Sequence, residues 1–222
     1  MNKKDNMKHI EKLMTNRISP RRFDETHEIT NTDMESIIEA MRMTPASYGL
    51  LNVRLIRLSR GEFKNSLNGL FYHQPNFTQA SEYLLFVVDK SEKLINETIV
   101  KTADQIFVGE PEKGQKFVTS FQERIPLYYG SETLVNEWSA KQAYITLGVG
   151  IVAAADLGID TVAQEGFDHL KLNQFMVEQN LIEANEMIVL GLALGKLSNL
   201  DFDHTKKAKV RRDKKEFIKT IK

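Results

Sequence analysis

The sequence predicts an α/β or α+β sandwich, a sheet buried between layers of helix, and three features carry that prediction. Tyr83 to Val88 (YLLFVV) and Met187 to Leu194 (MIVLGLAL) are continuous apolar runs of the kind found in strands covered on both faces. Lys141 to Leu157 is apolar on nearly every side except Gln142, Thr146 and Asp156, so a helix there has no wet face and must lie between other layers. Amphipathic helical segments alternate with the strands, as a layered fold requires. The run from Ala143 to Ala155, flanked by Lys141 and Asp156, falls short of the roughly 20 apolar residues of a membrane-spanning helix.

Taken in order, Met7, Ile10, Leu13 and Met14 fall at helical spacing and predict an amphipathic helix ending near Asn16. The basic segment NRISPRRF, punctuated by Pro20, reads as an extended arm. Thr30 followed by Asp33 resembles a capping box, and Met34, Ile37, Ile38 and Met41 mark the core face of a second helix. Thr44-Pro45 closes it, because the residue before a proline is pushed out of helical geometry. Val53 to Ser59 reads as a strand interrupted by arginines, near an edge or with a wet face, and Glu62 to Leu70 as a short helix. Ser91 to Glu137 is polar, carries Gly109, Pro111, Gly114, Pro126 and Gly130, and scatters Phe107, Phe117, Phe121, Tyr128 and Tyr129 through it. Such a variable insertion is a lid, a partner surface or loose surface helix. Gly158 ends the long helix, Ile159 to Gln164 is a short strand, and Glu165-Gly166 is a sharp exit. Asp168 caps a further helix whose buried side is Leu170, Leu172, Phe175, Met176 and Leu181.

At 222 residues the chain fits one domain, 1–222, with 91–137 as its variable insertion and 204–222 as a basic tail. Thirty Lys and Arg against thirty Asp and Glu give no net charge, which argues against a polyanion-binding protein. The tail from Lys206 onward is nevertheless strongly basic and reads by default as a solvated, partly helical segment. With no cysteine, thiol, disulfide and Fe–S chemistry are excluded, and any redox function needs a bound cofactor. The first residues carry charges with no apolar stretch behind them, so a cytoplasmic location and no membrane association are expected.

The stretch W…KQAYITLG….AA.LG.DTV..EGFD, from Trp138 to Asp168, closely resembles the central helix and flavin loop of the nitroreductase family, the FMN-dependent NAD(P)H oxidoreductases. Trp138, Tyr144 and Phe167 read singly as core aromatics; their joint occurrence with Lys141-Gln142 and Glu165-Gly166 at family spacing carries the resemblance. It implies an α+β three-layer α/β/α sandwich with a mostly antiparallel sheet, a long helix at a dimer interface, and FMN between two subunits.

Three further segments resemble family motifs. Arg17-Ile18-Ser19-Pro20-Arg21, with Phe23 behind, is similar to the family's opening R-x-S-x-R/K-x-F, which implies that Arg17 and Ser19 hold the phosphate while Arg21 reaches the pyrimidine edge. Thr44 to Leu50, with Pro45, Ala46, Ser47 and Gly49, resembles the segment that meets the FMN of the neighbouring subunit, although Leu51-Asn52-Val53 departs from the usual continuation. Lys209-Val210-Arg211 resembles a K-x-R phosphate clamp, and Lys206-Lys207 fits the same pattern after a small shift. His73-Gln74-Pro75-Asn76 resembles an Asn-Gln-Pro turn with His73 where the family places a ring-contacting Asn; imidazole cannot reproduce the paired donor and acceptor of an amide. Gln164, Glu165 and Gly166 complete the implied cofactor site, and glycine there lets the backbone approach a ring.

The implied activity is hydride transfer from NADH or NADPH through FMN to quinones, nitroaromatics or similar flat acceptors in a ping-pong cycle. Phe117 and Phe121, with Tyr128 and Tyr129, are candidates for the substrate wall. No side chain is assigned as acid or base, because the chemistry belongs to the cofactor. The same fold is also compatible with reductive dehalogenation, with enoate-type reduction, or with a flavin-storing, partner-binding dimer that does not turn over.

Overall fold

A computed structural model of the protein describes residues 7–201 and 209–221. Its sheet contains β1 (Val53–Ser59), β2 (Glu82–Asp89), β3 (Asp160–Gln164) and β4 (Glu186–Gly195) in the order β1-β2-β4-β3, every neighbouring pair antiparallel. The helices are α1 (His9–Asn16), α2 (Asn31–Arg42), α3 (Glu62–Ser66), α4 (Pro75–Thr78), α5 (Ser91–Lys93), α6 (Ile99–Ile106), α7 (Pro111–Tyr129), α8 (Glu132–Asp156), α9 (His169–Glu178) and α10 (Lys214–Phe217). The predicted layering is present. β2 is buried along its whole length, and its side chains alternate between faces as strand geometry demands. Leu84, Phe86 and Val88 pack with Met34, Ile37 and Met41 of α2 and Ala143, Leu147 and Ala154 of α8. On the opposite face Tyr83, Leu85 and Val87 meet Phe71, Phe77, Phe167, Leu172 and Met176.

Local signals account for the element ends. The Thr30 hydroxyl accepts the Asp33 N–H at 3.1 Å and starts α2. Gly158 takes a left-handed conformation, φ 69°, after α8, and the Asp168 carboxylate accepts the Lys171 N–H at 3.1 Å to start α9. β1 is an edge strand, and its two arginines are explained by carboxylates on other strands: Arg57 pairs with Glu82 of adjacent β2 at 2.8 Å and Arg54 with Glu186 of β4, one strand further on, at 2.5 Å.

Four expectations need correction. The helix predicted for Glu62 to Leu70 breaks into α3 and a 3-10 turn, Asn68–Phe71. α8 starts nine residues before Lys141, at Glu132, capped by Ser131, whose hydroxyl accepts the Leu134 N–H at 3.3 Å. Ser91 to Glu137 is largely helical, with α6, α7 and the start of α8 enclosing Leu94, Ile99, Ala103, Val118, Phe121, Ile125, Val135 and Trp138; apolar residues at helical spacing were masked there by intervening charges. Leu170 is exposed because the face of α9 that meets the core carries Leu172, Phe175 and Met176, and Leu181, beyond the helix, is exposed too.

α8 also departs from the expectation of a helix covered on all sides. Tyr144, Ile145 and Gly148 are exposed on one flank, beside Ile10 of α1. Among the described residues no helix is long and apolar enough to cross a membrane.

A buried lysine gives the fold a pH dependence. Lys64 on α3 is 1 % exposed, donates to the Ala80 carbonyl at 2.6 Å and lies 5.6 Å from the Phe77 ring centre. Burial, with the nearby Arg60 charge, pulls its pKa down to about 8 against the partial opposition of Glu82. The folded chain therefore binds fewer protons than the unfolded chain between about 8 and the ordinary 10.5, so stability contributed by this site rises across that window. Lys64→Met is expected to remove that rise, as read from chemical-denaturation midpoints at pH 7, 8.5 and 10.

Candidate functional site

α1 ends at Asn16, and the chain leaves it extended through Arg17. Arg17 is half-buried; its Nη1 lies 3.4 Å from the Ile18 carbonyl and 3.3 Å from the Ser19 hydroxyl, and its buried Nε has no hydrogen-bond partner. Lys209, from the far end of the sequence, donates to the Met14 carbonyl at 3.0 Å and to the Thr15 carbonyl, at the negative end of the α1 dipole. Arg211 follows, its guanidinium on the Val210 carbonyl at 2.7 Å. Burial and then the Arg211 charge hold Arg17 below the usual guanidinium range; burial, then Arg17 and Arg211, hold Lys209 below the usual ammonium range. Among the described residues no carboxylate pairs with any of the three. Mutually repelling cations brought together without an anion make an anion site. The alternative clamp, Lys206-Lys207, lies outside the described residues. Next to this cluster, the buried Asp201 carboxylate accepts the N–H groups of Arg21 (2.6 Å) and Arg22 (3.2 Å), fixing the arm while the Arg21 side chain stays exposed.

The second group surrounds the exit of β3. Gln164 donates to Asn76 at 2.8 Å and to Gln74 at 3.2 Å, and Gln74 donates to the Gly166 carbonyl at 2.5 Å. Two predicted segments, 73–76 and 164–166, are thus joined. A Cβ at Gly166 would lie 3.1 Å from the Gln74 amide, so the glycine permits this approach. The Glu165 carbonyl accepts from His169 Nε2 at 3.1 Å and its carboxylate from the Tyr144 hydroxyl at 2.6 Å. The Glu165 and Gly166 N–H groups donate to no described residue, leaving two adjacent backbone donors for a ligand. Tyr72 and His73 both adopt left-handed backbone, φ 53° and 55°, which side chains other than Gly and Asn rarely do. The His73 side chain is exposed, while Asn76 is engaged by Gln164.

The third group is the loop after α2. The Ser47 N–H donates to Gln142 of α8 at 2.9 Å, and Tyr48 and Gly49 are left-handed. Pro45, Ala46, Gly49, Leu50 and Leu51 line a cleft of about 690 Å³ with Gln142 and Thr146. The departure at Leu51-Asn52-Val53 is structural in part: Asn52 is buried and donates to Ser139 of α8, at 2.9 Å to its hydroxyl. Phe121 is buried and Phe117 half-buried; both face Tyr48, with ring centres 5.3 and 6.3 Å away, so they support the loop.

Gln142, which holds Ser47, and Tyr144, which holds Glu165, are two residues apart on α8 and therefore roughly 200° apart around it. The Pro45–Gly49 loop and the Glu165–Gly166 donors lie on opposite flanks, and no hydrogen bond joins them within one chain. The motifs did not single out His169, and they named Gln74 only within its turn and Tyr144 only as an aromatic; each of the three is a polar group whose partner is distant in sequence or on the backbone.

Comparison with known proteins places the fold and the sequence among known relatives. The sequence profile of the nitroreductase family matches residues 14–196. A Staphylococcus haemolyticus protein whose provisional name is NAD(P)H nitroreductase is 26% identical over 174 residues, covering 75% of this chain and 78% of that one. A Bacillus subtilis structure provisionally described as a nitroreductase superposes with a TM-score of 0.77 at 19% identity, covering 95% of this chain and 98% of the other. An Exiguobacterium sibiricum structure with a similar provisional description, solved in complex with FMN, gives 0.74 at 18% identity, with 97% and 98% covered. The chain belongs to the nitroreductase family, whose members are NAD(P)H-dependent flavin oxidoreductases.

Proposed function

We propose that the protein is a cytoplasmic, homodimeric FMN-dependent NAD(P)H oxidoreductase acting on quinones, nitroaromatics or similar flat, electron-poor acceptors. The observation that carries this reading is the meeting of Arg17, Lys209 and Arg211 without a carboxylate, which fits a phosphate. Two adjacent backbone donors at Glu165 and Gly166 fit the polar edge of a ring. Bound FMN supplies the hydride chemistry, with the nicotinamide and the acceptor taking turns at one site.

The chain's own residues then have separate tasks. Arg17, Ser19, Lys209 and Arg211 hold the phosphate, with the Ile18 backbone beside it, and Arg21 offers a fixed positive charge to the electron-rich reduced state. Gln164, Asn76 and Gln74 fix the β3 exit, and His73 contributes the exposed edge of that turn. Pro45, Ala46, Ser47 and Gly49 serve the site of the second copy, because they stand on the flank of α8 away from Glu165. The 91–137 insertion of the single 1–222 domain forms the substrate wall, with Phe117 and Phe121 setting its position through Tyr48.

The uncovered stripe of α8 is the surface that a second copy would bury. Ile145 is 46% exposed there, with Ile10, Leu13, Val149 and Val152 around one shallow cleft. Ile145→Lys is expected to halve the solution mass measured by light scattering and to release FMN in the same step. The reading as a whole is tested by the visible spectrum of the purified protein, followed by anaerobic addition of NADH or NADPH. A yellow protein bleached by either nicotinamide supports it; a colourless dimer that takes up no FMN overturns it.

A further inference from the structure

Glu165 introduces a carboxylate beside two backbone N–H groups, its own and that of Gly166, that donate to no described residue. Its side chain is exposed, and its single side-chain partner among the described residues is the Tyr144 hydroxyl at 2.6 Å. Both carbonyls and the Gln164 amide nitrogen of this exit are fastened: the Glu165 carbonyl by His169 and by the Phe167 N–H, the Gly166 carbonyl by Gln74, and the Gln164 nitrogen by Asn76 and Gln74. The carboxylate is therefore the one charged group of the loop whose direction rests on one hydrogen bond.

Tyr144 is well suited to hold it. The tyrosine comes from α8 rather than from the loop, so its hydroxyl is carried by a rigid element of 25 residues. Burial, the hydrogen bond to Glu165 and the Glu165 charge together push the phenol up to about 12, so it stays a donor throughout the neutral range. A charge-assisted hydrogen bond of this length both orients a carboxylate and draws off part of its charge.

Resting on the FMN reading above, we infer that Tyr144 is a positioning residue that turns the Glu165 carboxylate away from the flavin and so favours the reduced state. A carboxylate released towards the ring would oppose the extra negative charge of reduction, whereas the oxidised ring is neutral and is affected less. Loss of the hydroxyl should thus alter the preference between redox states more than it alters binding of oxidised FMN.

The test compares wild type, Tyr144→Phe, Glu165→Gln and the double variant, each reconstituted with FMN. Dissociation constants for oxidised and for dithionite-reduced FMN are measured anaerobically by titration of the apoprotein. Tyr144→Phe is expected to reduce the preference for reduced over oxidised FMN about tenfold, equivalent to a midpoint potential lower by about 30 mV for a two-electron couple. In the Glu165→Gln background, where no charge is left to orient, the same substitution is expected to change that preference less than twofold. A purely packing role for Tyr144 would weaken both redox states equally and would persist without the carboxylate. An unchanged ratio in Tyr144→Phe, or a shift that survives in the double variant, overturns the inference alone. Failure of the wild-type protein to bind FMN overturns it together with the oxidoreductase reading.

Discussion

Replacing Glu186 by alanine is expected to destabilise the protein by about 3–5 kcal/mol, the cost of breaking a buried ion pair by removing one partner. Glu186 begins β4 with 4% of its surface exposed. Its carboxylate accepts from Arg54 Nε at 3.0 Å and Nη2 at 2.5 Å, from Lys93 at 3.0 Å and from the Glu183 N–H at 2.8 Å. Without it, buried Lys93 keeps Glu183 at 2.9 Å, a more exposed carboxylate, and Asp89 only at 3.9 Å. Burial raises the Asp89 carboxyl despite the Thr98 hydrogen bond, so that group is a poor substitute. The same site sets an acid limit. Burial pulls Glu186 upward, but Arg54, the Glu183 N–H and Lys93 outweigh it and hold the carboxyl at about 2, below the ordinary 4.5. A depressed folded-state pKa stabilises above the unfolded value and is lost as pH falls, so this contribution disappears between about 4.5 and 2. Thermal melts of wild type and Glu186→Ala should therefore converge across that interval; curves that stay parallel down to pH 2 would contradict the assignment.

Arg17→Ala is expected to weaken FMN binding about 10- to 100-fold, from loss of a charge-assisted hydrogen bond of about 1.5–3 kcal/mol. Stability of the apoprotein should not fall with it. Arg17 is desolvated, its Nε is unpartnered, and it is repelled by Arg211, so in the free chain it brings strain with little compensation. That opposition of effects separates a ligand-binding arginine from a structural one, which would lose both together. Titration of apoprotein with FMN at two salt concentrations reads the first effect and the denaturation midpoint the second. Arg17→Lys should recover only part of the loss, because an ammonium lacks the guanidinium fork. An affinity within twofold of wild type would remove the phosphate assignment.

The strands were legible because burial on both faces demands unbroken apolar runs, as in YLLFVV, and the caps because Thr30 and Asp168 act within three residues. The basic ends were legible as segments, and Arg17 and Lys209 do meet; their convergence is invisible in a sequence that separates them by most of its length. What escaped detection is of one kind. Gln74, named within its turn, Tyr144, named as an aromatic, and His169 each take their meaning from a hydrogen-bond partner that no local pattern reveals. The arginines of β1 read as interruptions because their carboxylates lie on other strands, Glu82 on the next and Glu186 far along the chain. The apolar circumference of α8 predicts a helix covered on every side, yet one chain covers only part of it.

β2 pairs with β4, and in that pairing Leu85 faces Gly191, more than a hundred residues later. At synthesis rates of about 5–20 residues per second, the inner edge of a strand that is apolar between its terminal carboxylates waits roughly 5–20 s for its neighbour to emerge from the ribosome. β1 protects the other edge within that time, but nothing made earlier can close this one. The sheet is therefore completed late in translation, and a nascent chain halted short of Glu186 presents an open strand that holdase chaperones are suited to shield.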